Sequence, residues 1–177
     1  MESGNHFKNG ANSISHTSKG ILVLAILLIM SSYFVMGQSN TPIIGYDKVT
    51  WGVTIQKVKQ FYPNMHLDIE IDNSRKIFEE NVEANGITSR EFYFYQDKLF
   101  GVSVYYDIDL KETLLNKIKS IYGKFDEKYF NDNGDEIRII NYSKNLIIKV
   151  SIDEDEIDVF YYDPTVYNKM DSDNIKL

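Results

Sequence analysis

The sequence predicts an α+β domain, with helices packed on one face of an antiparallel sheet and a separate hydrophobic helix near the N-terminus. Three observations lead there. Two segments carry apolar residues at helical spacing, most other apolar residues alternate with polar ones at a period of two, and one unbroken apolar run lies within the first forty positions.

The chain has 177 residues, 43% of them hydrophobic and 14% aromatic, enough to build a core and too many for a disordered chain. Its formal net charge is −7, and beyond residue 37 there are 17 basic against 25 acidic residues. That balance argues against nucleic acid or anionic lipid as the main partner, because binding to phosphate relies on clustered Lys and Arg. The chain has no cysteine, which removes disulfides, thiolate catalysis, cysteine zinc sites and a lipid-modified cysteine. His6 and His16 lie in the leader, and His66 stands alone in the domain, with no second histidine to join it as ligand or base. No metal and no cofactor are expected.

Residues 1–37 read as a signal peptide or an N-terminal membrane anchor. Residues 1–20 are polar and carry Lys8 and Lys19 against Glu2, while residues 21–30 are apolar without a break and continue less purely to Met36. This run is long for an export signal and just short of the roughly 17–25 residues of a comfortable spanning helix. Val35 and Gly37 are small enough to flank a cleavage site before Gln38. In either case Lys19 keeps the N-terminus in the cytoplasm and sends the rest of the chain outward. The expected location is extracytoplasmic, periplasmic or secreted, or tethered to the inner membrane by residues 21–36, with no other membrane contact.

Residues 38–47, with Pro42 and Gly45, form a spacer, and residues 48–163 form a single domain. Thr54 caps a first helix with Ile55, Val58, Phe61 and Tyr62 on one side, and Pro63 stops it. Residues 66–71 follow as a half-buried strand, Leu67, Ile69 and Ile71 alternating with Asp68, Glu70 and Asp72, and residues 76–82 as another. The clearest hairpin covers residues 91–107 and turns near Asp97 and Lys98; Phe92, Phe94, Phe100, Val102 and Val104 claim its buried face. Asp109 and Glu112 have the spacing of a capping box ahead of Leu114, Leu115, Ile118 and Ile121, and Gly123 ends that second helix. Strands over residues 125–130, 136–142, 146–152 and 157–162 complete the domain, and residues 164–177 read as a flexible tail. Helix followed by strands thus occurs twice. Two helix-plus-meander halves would give this pattern, as would any helix laid on a meander.

Residues 46–58 carry an aromatic, a β-branched residue, then Gly52, Val53 and Thr54 ahead of the helical Val58. This lead-in resembles that of two related groups of small exported bacterial domains, the outer-membrane assembly lipoproteins and the β-lactamase inhibitor proteins. The likeness spans Tyr46 to Asp107. It implies a helical layer on an antiparallel sheet, two such units in tandem in the inhibitors, and a role in protein binding without catalysis. The second half departs from it, with Asp109, Leu110, Lys111 and Glu112 where the glycine and threonine would stand. The absence of cysteine also removes the lipoprotein anchor and the inhibitors' disulfides.

The acidic run Asp153, Glu154, Asp155, Glu156 with Asp158 could gather carboxylates around calcium, but it lacks the glycine-centred spacing of an EF-hand and reads as a solvated turn. Asn131 to Asp135 reads as a turn in which Gly134 supplies the positive φ. Serine-nucleophile and phosphate-loop motifs are absent, and nothing singles out a catalytic residue. Trp51 reads as a lid on the core. What remains is a row of tyrosines turned away from the helices: Tyr93, Tyr95 and Tyr105 are the candidate binding residues, with Gly101 and Ser103 leaving room beside them. The expected function is an exported, non-catalytic protein-binding or envelope-structural module, its partner another envelope or extracellular protein. The alternative is a small carboxylate-dependent hydrolase acting on an envelope polymer. A cleft with two close acids, one buried, would favour the enzyme, and an aromatic sheet face would favour the binder.

Overall fold

The computed structural model describes residues 44–174. The leader expected over residues 1–37, most of the spacer and the last three residues lie outside that range. Among the described residues no helix is long and apolar enough to cross a membrane.

A small hairpin, β1 (Gly45–Tyr46) and β2 (Val49–Thr50), leads into helix α1 (Ile55–Lys59). Gly52 has φ of 82°, a backbone that favours glycine, and its amide donates to the Leu99 carbonyl at 2.8 Å. Thr54 caps α1 as expected, its hydroxyl accepting from the Lys57 amide. Four strands follow as a meander: β3 (His66–Asp72), β4 (Arg75–Ala84), β5 (Ile87–Tyr95) and β6 (Lys98–Asp107). The β4–β5 and β5–β6 turns place Asn85, Gly86, Gln96 and Asp97 at positive φ, the conformation of tight two-residue hairpins.

After β6 the chain makes one 3₁₀ turn (Ile108–Leu110) and enters α2 (Lys111–Tyr122). The expected capping box is replaced here. Asp107, two residues upstream of Asp109, caps the 3₁₀ turn by accepting from the Asp109 amide at 3.1 Å, and α2 proper begins without a side-chain cap. Gly123 ends α2 with φ of 97°. A second meander follows: β7 (Glu127–Phe130), β8 (Glu136–Ser143), β9 (Leu146–Ile152) and β10 (Glu156–Tyr162).

All eight of these strands join one antiparallel sheet in the order β3-β4-β5-β6-β10-β9-β8-β7. Each meander therefore starts at an outer edge, and the last strands of the two meanders, β6 and β10, pair at the centre with Val104 opposite Val159. One face is apolar: Phe92, Phe94, Val102, Val104, Ile148, Val150, Ile157 and Val159 form a single cluster with Val58 of α1 and Leu114, Leu115 and Ile118 of α2. Each such side chain stabilises the fold by about 1.5–3 kcal/mol. Trp51 packs against this cluster and donates its indole N–H to the Asn145 carbonyl at 2.9 Å, tying the N-terminal hairpin to the β8–β9 turn. A part-buried ion pair of Arg90 and Glu80 at 2.8 Å, with the Arg90 guanidinium over the Tyr62 ring and its Nε donating to the Tyr46 hydroxyl at 3.3 Å, anchors the same hairpin.

Two elements differ from expectation. Strand β3 is exposed along its whole length, with Leu67, Ile69 and Ile71 about half accessible. It is the outer edge of the sheet, and register shifts after Leu67 and after Glu70 break its alternation, so no single buried face exists for it. The expected tail holds a third helix, α3 (Pro164–Asn174). Asp163 caps it by accepting from the Thr165 amide at 2.8 Å, and Pro164 takes the first helical position, where a missing N–H costs nothing. Helix α3 does not join α1 and α2: Tyr167 packs on Phe160 and Tyr162, which point to the opposite face.

Candidate functional site

The face turned away from α1 and α2 carries a groove of about 310 Å³. Its floor comes from the sheet centre, with Tyr93 of β5, Ser103 of β6, Asp158, Phe160 and Tyr162 of β10, and Lys149 of β9. Arg75 and Ile77 of β4 and Ile71 of β3 close one side, and Tyr167 and Met170 of α3 close another. The strand register brings these residues together. Phe160 lies opposite Ser103 on one neighbour and Lys149 on the other, and Asp158 lies opposite Tyr105 and Ser151.

Gly101 sets the position of the aromatic floor. A Cβ at Gly101 would fall 2.7 Å from Phe160 Cε2, so the missing side chain is what lets that ring lie close over β6. Phe160 then stacks on Tyr162 with ring centroids 4.8 Å apart and planes 16° from parallel, and Tyr93 meets its edge at 5.2 Å. The room that the sequence left beside Gly101 is thus taken by Phe160.

Asp158 is the chemically unusual group. Burial, opposed by a hydrogen bond from Ser103 and the charge of Lys149, pushes its carboxyl up from the usual 3.8 to about 6. Among the described residues, its Oδ1 is the one buried side-chain nitrogen or oxygen without a hydrogen-bond partner. Glu91 sits on the same face but does not line the groove; its Oε2 accepts from the hydroxyls of both Tyr93 and Tyr105, the latter at 2.9 Å. Burial and that carboxylate push both phenols well above their ordinary value.

The three candidate tyrosines share this face, as the period of two requires, with different surroundings. Tyr93 lines the groove, Tyr105 is held against Glu91, and Tyr95 is 9% exposed with the Lys169 ammonium 5.8 Å over its ring. They do not form one open patch. Sequence reasoning missed Asp158, Phe160, Tyr162 and Tyr167, which β10 and α3 bring to the same place. The remaining acids of the expected cluster behave as a turn: Asp153 Oδ1 accepts from the Asp155 and Glu156 amides at 2.8 Å each. Asn131 does the same for Asn133 and Asp135, with Gly134 at φ of 92°. His66 is exposed beside Glu79, far along the edge strand.

Comparison of the chain with known proteins finds no matching family, no matching curated protein and no matching solved structure.

Proposed function

We propose that this chain is an exported, non-catalytic binding module that holds part of another envelope or extracellular protein in the groove of its open sheet face. The observation that carries this reading is the groove itself: aromatic walls around Asp158, whose buried oxygen lacks a partner, with Ser103, Lys149, Arg75 and Lys76 as the other polar groups of the lining. Concave sites that combine aromatic side chains with a few placed polar groups are the usual form of a ligand pocket. Two features point the same way. The sheet order reads as two helix-plus-meander halves joined at β6 and β10, and the likeness of residues 46–107 is to exported domains that bind proteins. Export itself rests on the apolar run over residues 21–36.

The raised carboxyl of Asp158 is the one feature that favours the hydrolase alternative, since a general acid needs such a value. A paired-carboxylate mechanism also needs a second carboxylate facing the substrate. Among the described residues Asp158 is the only acid lining the groove, and Glu91 is engaged by two phenols outside it. Binding is the better reading.

Photo-crosslinking tests it. Benzoylphenylalanine in place of Tyr162, in the groove, is expected to give a discrete protein adduct in cells exporting the chain. The same residue in place of Ile121, exposed on α2 across the sheet, is expected to give none. Equal adducts from both positions, or none from position 162, would refute the groove as the binding site.

A further inference from the structure

The groove contains one unmet chemical demand, and its surroundings specify what would meet it. Asp158 Oδ1 is buried without a partner, a state that costs free energy recoverable by a donor arriving from outside. Ser103 already supplies a hydrogen bond to the same carboxylate. One unpartnered oxygen suits a single-point donor better than a planar fork, which is best matched by two acceptors side by side.

Among the described residues Asp158 is the one acid in the groove lining; the charge of Lys149 acts on it, opposed by Glu91 and Glu156 as like charges. Of the three cations lining the groove, Arg75 is held by Asp72 at 2.6 Å and Lys76 by Asp97 at 3.0 Å. Lys149 acts on Asp158 through its charge, yet no ion pair among the described residues joins them. The same groove is lined by Tyr93, Phe160, Tyr162 and Tyr167, whose rings accept both a cation and an aliphatic stem.

Two further observations point to a polypeptide as the source. Ile71 belongs both to the groove and to the exposed edge strand β3, so an extended chain pairing with that edge would enter the groove directly. The acids Asp68 and Glu70 on that edge, and the excess of 25 acidic over 17 basic residues beyond residue 37, complement a basic segment.

We infer that the groove takes the side-chain ammonium of a lysine from a basic, extended segment of the partner protein, with Asp158 Oδ1 as its acceptor and the aromatic walls around its stem. This inference rests on the binding function proposed above and names the chemistry of the occupant.

The test uses the full chain in detergent solution with ¹³C-methyl methionine. Met170 lines the groove and Met65 is buried in the helix-side core, so the two report on the groove and on the rest of the fold. The probes are the N-acetyl methylamides of lysine, norleucine, arginine and glutamate. At neutral pH the lysine probe is expected to shift the Met170 signal saturably and leave Met65 unmoved, with the norleucine probe about tenfold weaker. Asp158→Asn should erase that tenfold preference, and Lys149→Met, by removing a competing cation, should tighten the lysine probe several-fold. An arginine, norleucine or glutamate probe binding as tightly as lysine would overturn the inference, as would weaker lysine binding by Lys149→Met or no response at Met170. If crosslinking from position 162 succeeds while lysine shows no preference, the occupant is wrong and the binding site stands. If that crosslink fails, the binding reading itself falls.

Discussion

Replacing Asp158 by Asn should make the protein more stable. The carboxyl titrates at about 6 in the folded chain against 3.8 in an ordinary setting, chiefly because burial penalises its charge. Between these values the folded protein keeps a proton that the unfolded chain releases, so this group's contribution to stability falls as the pH rises from about 4 to about 6 and stays low above that. Each pH unit between them is worth about 1.4 kcal/mol, which puts the penalty on the ionised form near 3 kcal/mol as a ceiling. The amide of Asn has its own buried hydrogen-bonding needs, worth about 1 kcal/mol. A gain of about 2 kcal/mol at pH 7.5 is therefore expected, falling by about 3 kcal/mol to a loss of about 1 kcal/mol below pH 4, where Asp158 is itself neutral and only the cost of the amide remains. Urea unfolding of the two full-length chains at pH 3.5, 5 and 7.5 measures this, and the difference between them removes the contribution of every other titrating group. An Asn variant no more stable than the parent at pH 7.5, or a gain independent of pH, would refute the burial and the missing partner on which the site is built.

Other expectations follow from single contacts. Gly101→Val must displace the Phe160 ring that lies 2.7 Å from the added Cβ, costing about 1–3 kcal/mol and lowering Tm by about 5–10 °C; an unchanged Tm would show that the ring does not rest there. Glu80→Ala takes the carboxylate from the half-buried Arg90, which keeps its hydrogen bond to the Tyr46 hydroxyl, and should cost about 1.5–3 kcal/mol in urea unfolding, whereas an unchanged stability would mean that the pair contributes nothing. A reporter active only outside the cytoplasm, fused after Leu177, should be active, and cytoplasmic activity of that fusion would end the export proposal.

The local elements were legible because their signals are local. Alternation over residues 91–107 gives β5 and β6, except that a register shift beside Tyr93 and Phe94 turns Leu99 to the helix-side core and the expected core residue Phe100 to the groove; the apolar spacing of Leu114, Leu115 and Ile118 gives α2, and Thr54 and Gly134 do what their side chains, or lack of one, allow. The Asp163 and Pro164 pair was a helix start that polar composition downstream obscured. Asn85 and Gly86 marked the β4–β5 turn equally plainly. The groove was less accessible to such reasoning. Alternation with Ile157 and Val159 puts Asp158 on the face away from the helices, but only the pairing of β10 with β6 carries it to the sheet centre, and that pairing joins residues about fifty positions apart. Seen as one more member of an acidic run, Asp158 looked solvated. The exposure of β3 was hidden for a related reason, since its alternation is perfect in sequence and is undone by two register shifts at a sheet edge.

Partner binding by the Asp158→Asn chain tests most directly the proposal that Asp158 is kept for a ligand at the expense of stability. Adduct yield from the crosslinker at position 162 should fall about tenfold in this variant even though it unfolds at higher urea than the parent. A variant that is more stable and still forms the adduct in full yield would show that the buried carboxylate has no part in binding.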